Sequence, residues 1–235
     1  MSETVGTIKE IWRYPISSIG GEGLDAASVN TDGIHGDRTH LLVDLDTGEV
    51  ASPETTPRWR PALMLSACRT DNDVLVSSST WKRKPTGPSL DAALSELMGF
   101  RCGVRPKGAP LKVSKLQPRY ELAPLHFLTT KSLTDLASLV PSSEIDRRRF
   151  RPNVVLETES REEDWLGRRW ACGAVAGTVT EMTKRCGMTM LAQPGLPEDP
   201  EILRTIVRQR ARCLGVYASV ARIGTVSVGD NFVLS

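Results

Sequence analysis

One cysteine in this sequence lies in a setting that could support chemistry. Cys186 follows Lys184 and Arg185 in the segment EMTKRCGMTM, residues 181–190. Neighbouring cations favour the thiolate over the thiol, and a thiolate is both a nucleophile and a ligand for soft metals. In an extended strand Lys184 and Cys186 would share a face while Arg185 pointed away, so only Lys184 is placed to help. Taken alone, these residues favour a small buried side chain over a reactive one.

A run of arginines is the second candidate. Four arginines lie within residues 147–151, directly before Pro152 and Asn153. Such a run is typical of a solvated loop, but guanidinium groups also bind phosphate oxygens in bidentate fashion, and the Asn153 amide could add a directional contact. A nucleic-acid site is not favoured, because aromatic residues make up only 5% of the chain and no aromatic stripe accompanies the arginines. The solvated and the phosphate-binding interpretations both stay open.

A glycine-rich segment supplies the third candidate. GIHGDRTHLLVD, residues 33–44, places Asp37 beside Arg38 just before a strand. The two glycines suggest backbone in unusual conformations. The acidic and basic side chains either form a buried structural ion pair or leave Arg38 facing a ligand.

The cysteines and histidines as a set do not form a metal or disulfide pattern. The cysteines are Cys68, Cys102, Cys172, Cys186 and Cys213, and the histidines are His35, His40 and His126. An odd number of cysteines without a C-x-x-C pair disfavours a disulfide framework and a structural zinc site. The histidines are too dispersed for a metal triad and are interpreted as surface or packing residues. The usual nucleotide-binding, metalloprotease and serine-hydrolase motifs are also absent.

Composition indicates an ordinary globular protein. The 235 residues are 40% hydrophobic and 25% charged, with a net charge of +2. This charge argues against a nucleic-acid or anionic-membrane partner. The N-terminal segment has no apolar signal-peptide region, and no apolar run approaches the ~18 residues that span a bilayer. We therefore expect a soluble, cytoplasmic protein.

Short strands separated by turn residues dominate the elements that would position these side chains. Three helices are expected: SLDAALSELMGF with Ser89 as N-cap, TTKSLTDLASLV, and a helix that begins at Asp199 and Pro200. Residues 103–119 are rich in Pro, Gly and Lys and are predicted to form a loop. Residues 178–190 are predicted to form one strand that includes Cys186. The pattern predicts a mainly β fold with peripheral helices.

A series of segments in fixed order resembles the MOSC family (molybdenum cofactor sulfurase C-terminal domain) with its N-terminal β-barrel companion. These segments include RYPISSIGGEGLD, GIHGDRTHLLVD, LHFLTTKSL, RFRPNVVLE, KRCGMTM and GVYASV. The resemblance runs along nearly the whole chain. It implies a small N-terminal MOSC β-barrel-like domain over residues 1–85 and a MOSC β-barrel domain over residues 86–235, with the site in the cleft between them.

Within that family the chain is similar to the mitochondrial amidoxime-reducing component and its bacterial counterparts, which implies a molybdenum-dependent oxidoreductase. The resemblance puts the molybdenum ligand on Cys186. The positions it implies for molybdopterin binding are Ser18, Arg38, Thr129, Arg151 and Asn153, with Lys184 as the adjoining cation. A soft thiolate suits molybdenum and guanidinium groups suit a pterin phosphate.

The same similarity implies a substrate and a partner. The substrate would be an N-hydroxylated or other N- or S-oxygenated small molecule. Electrons would come from a separate flavin or iron-sulfur protein, because this chain has no cysteine set for an iron-sulfur cluster.

Departures from the family pattern keep other hypotheses open. Ser17 stands where the family has a lysine, and the arginine of a T-x-R segment is absent unless Arg58 or Arg60 replaces it. A second hypothesis is therefore a metal-free sulfurtransferase or C–S lyase in which Cys186 is a nucleophile or persulfide carrier. A third is a non-catalytic carrier of the cofactor or of another small molecule.

Overall fold

Strands make up most of the regular structure of the protein. The computed structural model describes residues 2–71, 73–81, 83–110 and 123–235. In these residues the strands are β1 Glu3–Arg13, β2 Glu22–Leu24, β3 Ala26–Asn30, β4 Gly33–Ile34, β5 His40–Asp44, β6 Ser66–Arg69, β7 Val74–Ser77, β8 Lys84–Pro85, β9 Cys102–Pro106, β10 Leu125–Thr129, β11 Val154–Glu157, β12 Arg169–Cys172, β13 Val175–Lys184, β14 Cys213–Arg222, β15 Gly224–Ser227 and β16 Asn231–Leu234.

Helices are shorter and lie around the strands. The α-helices are α1 Pro88–Met98, α2 Thr130–Leu139 and α3 Pro200–Gln209, and 3₁₀ helices span Pro57–Met64, Arg147–Arg149, Glu162–Trp165 and Gly187–Met190. This content confirms the predicted class, mainly β with peripheral helices. None of the helices in the described ranges is long and apolar enough to cross a membrane.

Seven strands close a β-barrel that brings the two ends of the chain together. The order is β11-β10-β14-β13-β12-β16-β1, and β1 pairs with β11 to complete the ring. The neighbours β10 and β11 are parallel, whereas the pairs β10–β14 and β13–β14 are antiparallel. All five residues of β10 are buried, as expected for a strand covered on both faces. The barrel core includes Phe127, Trp170 and Phe232, whose rings meet edge-on or stacked.

A smaller unit packs its own core beside the barrel. It contains the sheet β6-β7-β8, the pair β5–β9, helix α1 and the 3₁₀ helix Pro57–Met64. Trp59 is fully buried there and meets Phe100 edge-on. Leu94 of α1 and Val104 of β9 belong to this core, so it extends beyond residue 85, where the sequence places the division. Strand β1, by contrast, belongs to the barrel. The division at residue 85 stays a prediction.

Two local predictions are wrong and one is correct. Helix α1 is capped by Gly87 with Pro88 at its first position, so Ser89 lies inside the helix instead of capping it. Residues 103–106 continue β9 and are not loop, and residues 111–122 lie outside the described ranges. Asp199 caps α3 as expected, since its side chain accepts a hydrogen bond from the Glu201 amide.

Candidate functional site

A cavity of about 200 Å³ lies at the junction of the barrel and the smaller unit. Six of the seven residues that the sequence predicts for a site line it: Ser18, Arg38, Arg151, Asn153, Lys184 and Cys186. They come from four separate stretches of the chain, and the barrel and the loops before β5 bring them together. We call this space the candidate cavity.

Cys186 lies just beyond the end of barrel strand β13. The strand stops at Lys184, and Cys186 precedes the 3₁₀ helix Gly187–Met190, whose Thr189 amide donates to the Cys186 carbonyl. The predicted strand over residues 178–190 is therefore too long. The thiol is half-buried, whereas burial raises the pKa of the Cys102 thiol to about 11 and that of the Cys172 thiol to about 12. Those two cysteines have the inert character of packed side chains.

Arg185 points into the candidate cavity, which contradicts the alternation that the sequence suggested. Register shifts interrupt the β13–β14 pairing, and beyond Lys184 the chain leaves the strand, so the period of two no longer holds. Arg185 is 8% exposed, and its Nη2 donates to the Phe150 carbonyl at 2.7 Å. Burial lowers the pKa of this guanidinium.

Arg38 forms a buried ion pair and also lines the cavity, so both interpretations that the sequence left open apply to it. Its Nη1 pairs with the Asp37 carboxylate, and its Nη2 donates to the Arg151 carbonyl at 3.3 Å. Asp37 also accepts from the Tyr14 amide at 2.7 Å and from Asn153 Nδ2 at 3.1 Å. Burial opposes the charge of Arg38, but Asp37 outweighs it, and the pKa of Arg38 lies above its ordinary value. The ion pair fixes an arginine that still lines the cavity.

Arg151 is the least compensated charge of the site. Its guanidinium lies 4.3 Å from the centre of the Tyr14 ring, and its buried Nη2 has no hydrogen-bond partner in the described residues. Burial lowers the pKa of Arg151 to about 10, and burial likewise raises the pKa of Tyr14 to about 12. A buried charged donor without an acceptor is unusual in a native structure and is suited to bind an anionic group.

Three cavity residues adopt a strained backbone. Ser18, Arg38 and Arg151 have φ angles of +67°, +48° and +55°, in the left-handed region that non-glycine residues seldom use. Strain of about 1 kcal/mol or more per residue persists only where the surroundings fix the conformation. Here hydrogen bonds do so: Ser18 Oγ donates to the Ala51 carbonyl at 3.2 Å, and the Arg38 amide donates to the Tyr14 carbonyl at 2.8 Å.

Asn153 and His126 hold the barrel side of the cavity. Asn153 Oδ1 accepts from the His126 amide at 3.1 Å, so the side chain is fixed by backbone as well as by Asp37. His126 was interpreted as a packing residue, yet it lines the cavity, with Nδ1 3.3 Å from the Arg151 carbonyl and its ring edge-on to Tyr217. Burial, aided by Arg185, lowers the pKa of His126 well below 6.5 and keeps the ring neutral. Nothing in the short segment LHFL distinguishes this histidine in the sequence.

Thr129, the seventh predicted residue, does not line the candidate cavity. Its hydroxyl donates to Glu162 Oε2 and accepts from the Ser132 amide at the start of α2. The residue caps a helix within a buried polar cluster. The spacing T-x-x-S at a strand end fits this capping role as well as it fits a ligand contact.

The four members of the arginine run differ in how far neighbouring groups already accept their hydrogen bonds. Arg147 pairs with Glu10 and lies over the Trp12 ring, and Arg148 pairs with Asp146. Arg149 is fully buried, lies at the cavity wall, and donates to the carbonyls of Glu144 and Pro197. Only Arg151 has a buried nitrogen left without a partner in the described part of the run. Within the candidate cavity, the phosphate-binding interpretation therefore rests mainly on Arg151.

Neither candidate for the missing family arginine reaches the cavity. Arg58 pairs with Asp44 and Glu49, and Arg60 pairs with Glu198. Glu54, from the same loop, lines the cavity instead. A Cβ placed on Gly187 would lie 3.2 Å from Glu54 Cβ, so this loop of the smaller unit packs closely on the residue after Cys186.

The cavity as a whole is strongly cationic. Its lining includes Arg38, Arg149, Arg151, Lys184 and Arg185, while Glu54 is the one carboxylate among the lining residues in the described ranges. Arg151 Nη2 and Arg185 Nε are buried donors without acceptors in the same ranges. Charged donors of this kind bind anions through strong hydrogen bonds. The arrangement can hold an anionic group next to a partly exposed thiol.

Comparison with known proteins agrees with this architecture. The family model of the MOSC domain matches residues 120–233, and that of the MOSC N-terminal beta barrel domain matches residues 5–99. Mitochondrial amidoxime reducing component 2 of Bos taurus is 23% identical over 97% of this chain and 83% of its own length, and that of Macaca fascicularis is 22% identical over the same shares. The crystal structure of the YUAD protein from Bacillus subtilis, at 13% identity, covers 100% of this chain and 97% of its own with a TM-score of 0.57. The last likeness concerns the fold alone.

Proposed function

We propose that this chain, which belongs to the MOSC family and carries the family's N-terminal β-barrel domain, binds a molybdenum cofactor in the candidate cavity. The reaction we propose is reduction of N-hydroxylated or other N- or S-oxygenated small molecules. The observation that carries the proposal is that the Cys186 thiol lines the same cavity as two buried arginine donors, on Arg151 and Arg185, that have no acceptor among the described residues. The relatives named for amidoxime reduction support the reaction class.

The residues present fit such a cofactor. Cys186 would supply a soft thiolate ligand to molybdenum. Arg38, Arg151 and Arg185 would hold the phosphate and the anionic edge of the pterin, and Asn153 and Ser18 would hold their positions through the backbone contacts described above. Thr129 is not part of this set, because its hydroxyl is committed to Glu162.

The bound metal would supply two-electron chemistry at an oxygen attached to nitrogen or sulfur. For a hydroxylamine the balance is R–NH–OH plus two electrons and two protons, giving R–NH₂ and water. Electrons would come from a partner flavin or iron-sulfur protein. Among the described residues, no group of three or more His, Cys, Asp or Glu side chains could hold a metal ion. We therefore propose a separate partner protein, and not a metal cluster within this chain, as the source of electrons.

This chain's own residues would exclude water from the candidate cavity and set the charge of the bound group. The neutral His126 ring contacts the Arg151 carbonyl through Nδ1, so its Nε2 is the acceptor nitrogen and could accept a hydrogen bond from a ligand. The arginines would keep the bound group anionic, and the half-buried Cys186 would leave one side of it open to substrate.

Metal and pterin analysis of the purified protein tests this proposal. In a cofactor-making host, we expect molybdenum and pterin in the wild type and in Cys213→Ser, which alters another half-buried cysteine outside the cavity lining. Cys186→Ser should lose the metal, while the arginines retain part of the pterin. Wild-type protein that is folded but free of both metal and pterin would overturn the proposal.

Sulfur transfer is the second candidate function, and one observation favours it. Ser17 lines the cavity where the family pattern has a lysine, so the anion site has one cation fewer. In this case a donor persulfide would transfer its outer, sulfane sulfur to the Cys186 thiolate and leave as a thiol, and the arginines would bind an anionic acceptor that takes this sulfur from Cys186. Intact-mass analysis distinguishes the two functions, because a sulfur adduct present in the wild type and absent from Cys186→Ser supports transfer. A cofactor that is bound without turnover would instead indicate a carrier.

A further inference from the structure

A second, larger cavity adjoins the candidate cavity, and Arg151 lines both spaces. It measures about 580 Å³, within the range of small-molecule sites, which is roughly 300–1,000 Å³. The walls come from the smaller unit on one side and from β1 and the barrel loops on the other. We call it the junction groove.

The wall of the junction groove is mainly apolar. Leu63 and Leu65 are buried beneath it, and Trp12 and Tyr14 add aromatic surface. Met64, at the end of the 3₁₀ helix, is 43% exposed, an unusual position for a large apolar side chain. Exposed apolar surface that continues into a concave wall is typical of a ligand-binding surface.

Polar groups gather at the edges of the groove. Serine hydroxyls line one edge, at Ser66, Ser77, Ser78 and Ser79. The charged lining residues are Arg148 and Arg151, and no carboxylate lines the groove in the described part of the chain. Arg148 is anchored by Asp146 at 2.7 Å and by the Pro194 carbonyl at 2.8 Å, so its position is fixed. A fixed guanidinium at the end of an apolar wall suits an anionic head group.

We propose that the junction groove is a binding site for an organic anion with a ring-sized apolar body. The body would lie against Trp12 and Met64, and a carboxylate or sulfonate head would contact Arg148. The groove does not contain Cys186, so this site is separate from the candidate cavity and does not depend on the cofactor proposed for it. Because Arg151 lines both spaces, an anion in one should weaken the binding of an anion in the other.

Calorimetric titration with 2-naphthoate tests the site directly. Met64→Glu should weaken binding about tenfold or more, since it removes apolar contact and adds a like charge beside the ligand. Val207→Glu is the matched control, because Val207 is 48% exposed on α3 and lies outside the groove lining. The affinity of this variant for 2-naphthoate should stay within about twofold of the wild-type value. Both changes are at exposed positions, and a thermal melt verifies that each variant folds.

A neutral ligand tests the head-group contact. Arg148→Gln should weaken 2-naphthoate about three- to tenfold and leave 2-naphthalenemethanol unchanged. Equal affinity of wild type and Met64→Glu for naphthoate would overturn the site. Equal affinity of wild type for the acid and the alcohol would overturn the anionic head group.

Pyrophosphate tests the shared role of Arg151. Pyrophosphate bound in the candidate cavity should weaken naphthoate several-fold, and Arg185→Gln should reduce this effect because Arg185 lines only the candidate cavity. Naphthoate affinity that is insensitive to pyrophosphate would overturn the coupling. An effect that persists in full in Arg185→Gln would mean that pyrophosphate binds in the groove itself and would also overturn it.

Discussion

Two buried polar clusters contact the same strands, β10 and β14, and differ in how completely their hydrogen bonds are made. In the first, the fully buried Glu162 accepts from Thr129, from Ser132 Oγ at 2.7 Å and from the Gly215 amide at 2.9 Å. In the second, the candidate cavity, Arg151 and Arg185 keep buried donors without acceptors in the described residues. The closed network around the Glu162 carboxylate stabilises the fold, whereas the open donors of the predominantly cationic cavity are suited to bind an anion.

Gly215 joins the two clusters, so its substitution should have the largest effect. Its φ is +86°, its amide donates to Glu162, and an added Cβ would lie 2.3 Å from His126 Nε2. We expect Gly215→Ala to lower the free energy of unfolding by about 3 kcal/mol or more, or to prevent folding. Urea unfolding measures this. Gly173→Ala, with φ of +56° and nothing within 4 Å, isolates the backbone strain and should cost only about 1 kcal/mol.

Glu162→Gln should damage the closed cluster alone. The glutamine side chain would point N–H groups at the hydroxyl and backbone amide donors that now donate to the carboxylate. We therefore expect the free energy of unfolding, measured in urea, to fall by about 2 kcal/mol. Glu201→Gln changes a half-exposed carboxylate on α3 and should cost less than about 0.5 kcal/mol. Loss of pyrophosphate binding in Glu162→Gln would contradict the separation of the two clusters.

Arg151→Gln should have the opposite effect to Glu162→Gln, since it should weaken anion binding and leave stability nearly unchanged. Removing a buried, poorly compensated charge should leave the unfolding free energy within about 1 kcal/mol, while pyrophosphate affinity should fall about tenfold. Calorimetry on the wild type and on Arg148→Gln provides the reference, because Arg148 does not line the candidate cavity. The same Arg151 charge predicts that wild-type affinity falls as pH rises through about 10.

His126 gives the smallest of the expected effects, a pH dependence of stability. Its pKa is lowered from 6.5 by burial and by Arg185, so below pH 6.5 the unfolded chain binds more protons than the folded one. This one histidine should therefore make stability fall with decreasing pH by at most about 1.4 kcal/mol per pH unit, and His40, whose pKa burial also lowers, adds to the slope. His126→Gln should flatten this slope relative to the exposed-site control His35→Gln. An unchanged slope would mean that His126 is not the titrating group.

Local patterns predicted much of the fold, and the exceptions have physical causes. The cap of α3 follows from Asp199 and Pro200, because capping depends on adjacent residues. The strand alternation placed Arg185 on the face away from Cys186. This was wrong because β13 ends at Lys184, and the alternation of side chains in a sequence does not show where a strand ends. The contact of Thr129 with Glu162 had no sequence signal, because the two residues lie 33 positions apart along the chain.

The family pattern and the structure contribute different information about the cavity. The resemblance selected Cys186, Arg38, Arg151 and Asn153 from residues that their own chemistry left ambiguous, and the structure gathers them around one space. The roles proposed for them remain predictions. His126, Tyr217 and Glu54 had no sequence signal, because their importance comes from packing between distant segments.

Closure of the barrel by β1 constrains the order in which the protein can be made. Strand β1 pairs with both β11 and β16, so β1 cannot complete its pairing until these two later strands have been synthesised. The smaller core, complete by Val104, can form in the meantime from local segments. Until Asn231–Leu234 are synthesised, the barrel has open strand edges, and nascent chains should depend most on chaperones at that stage.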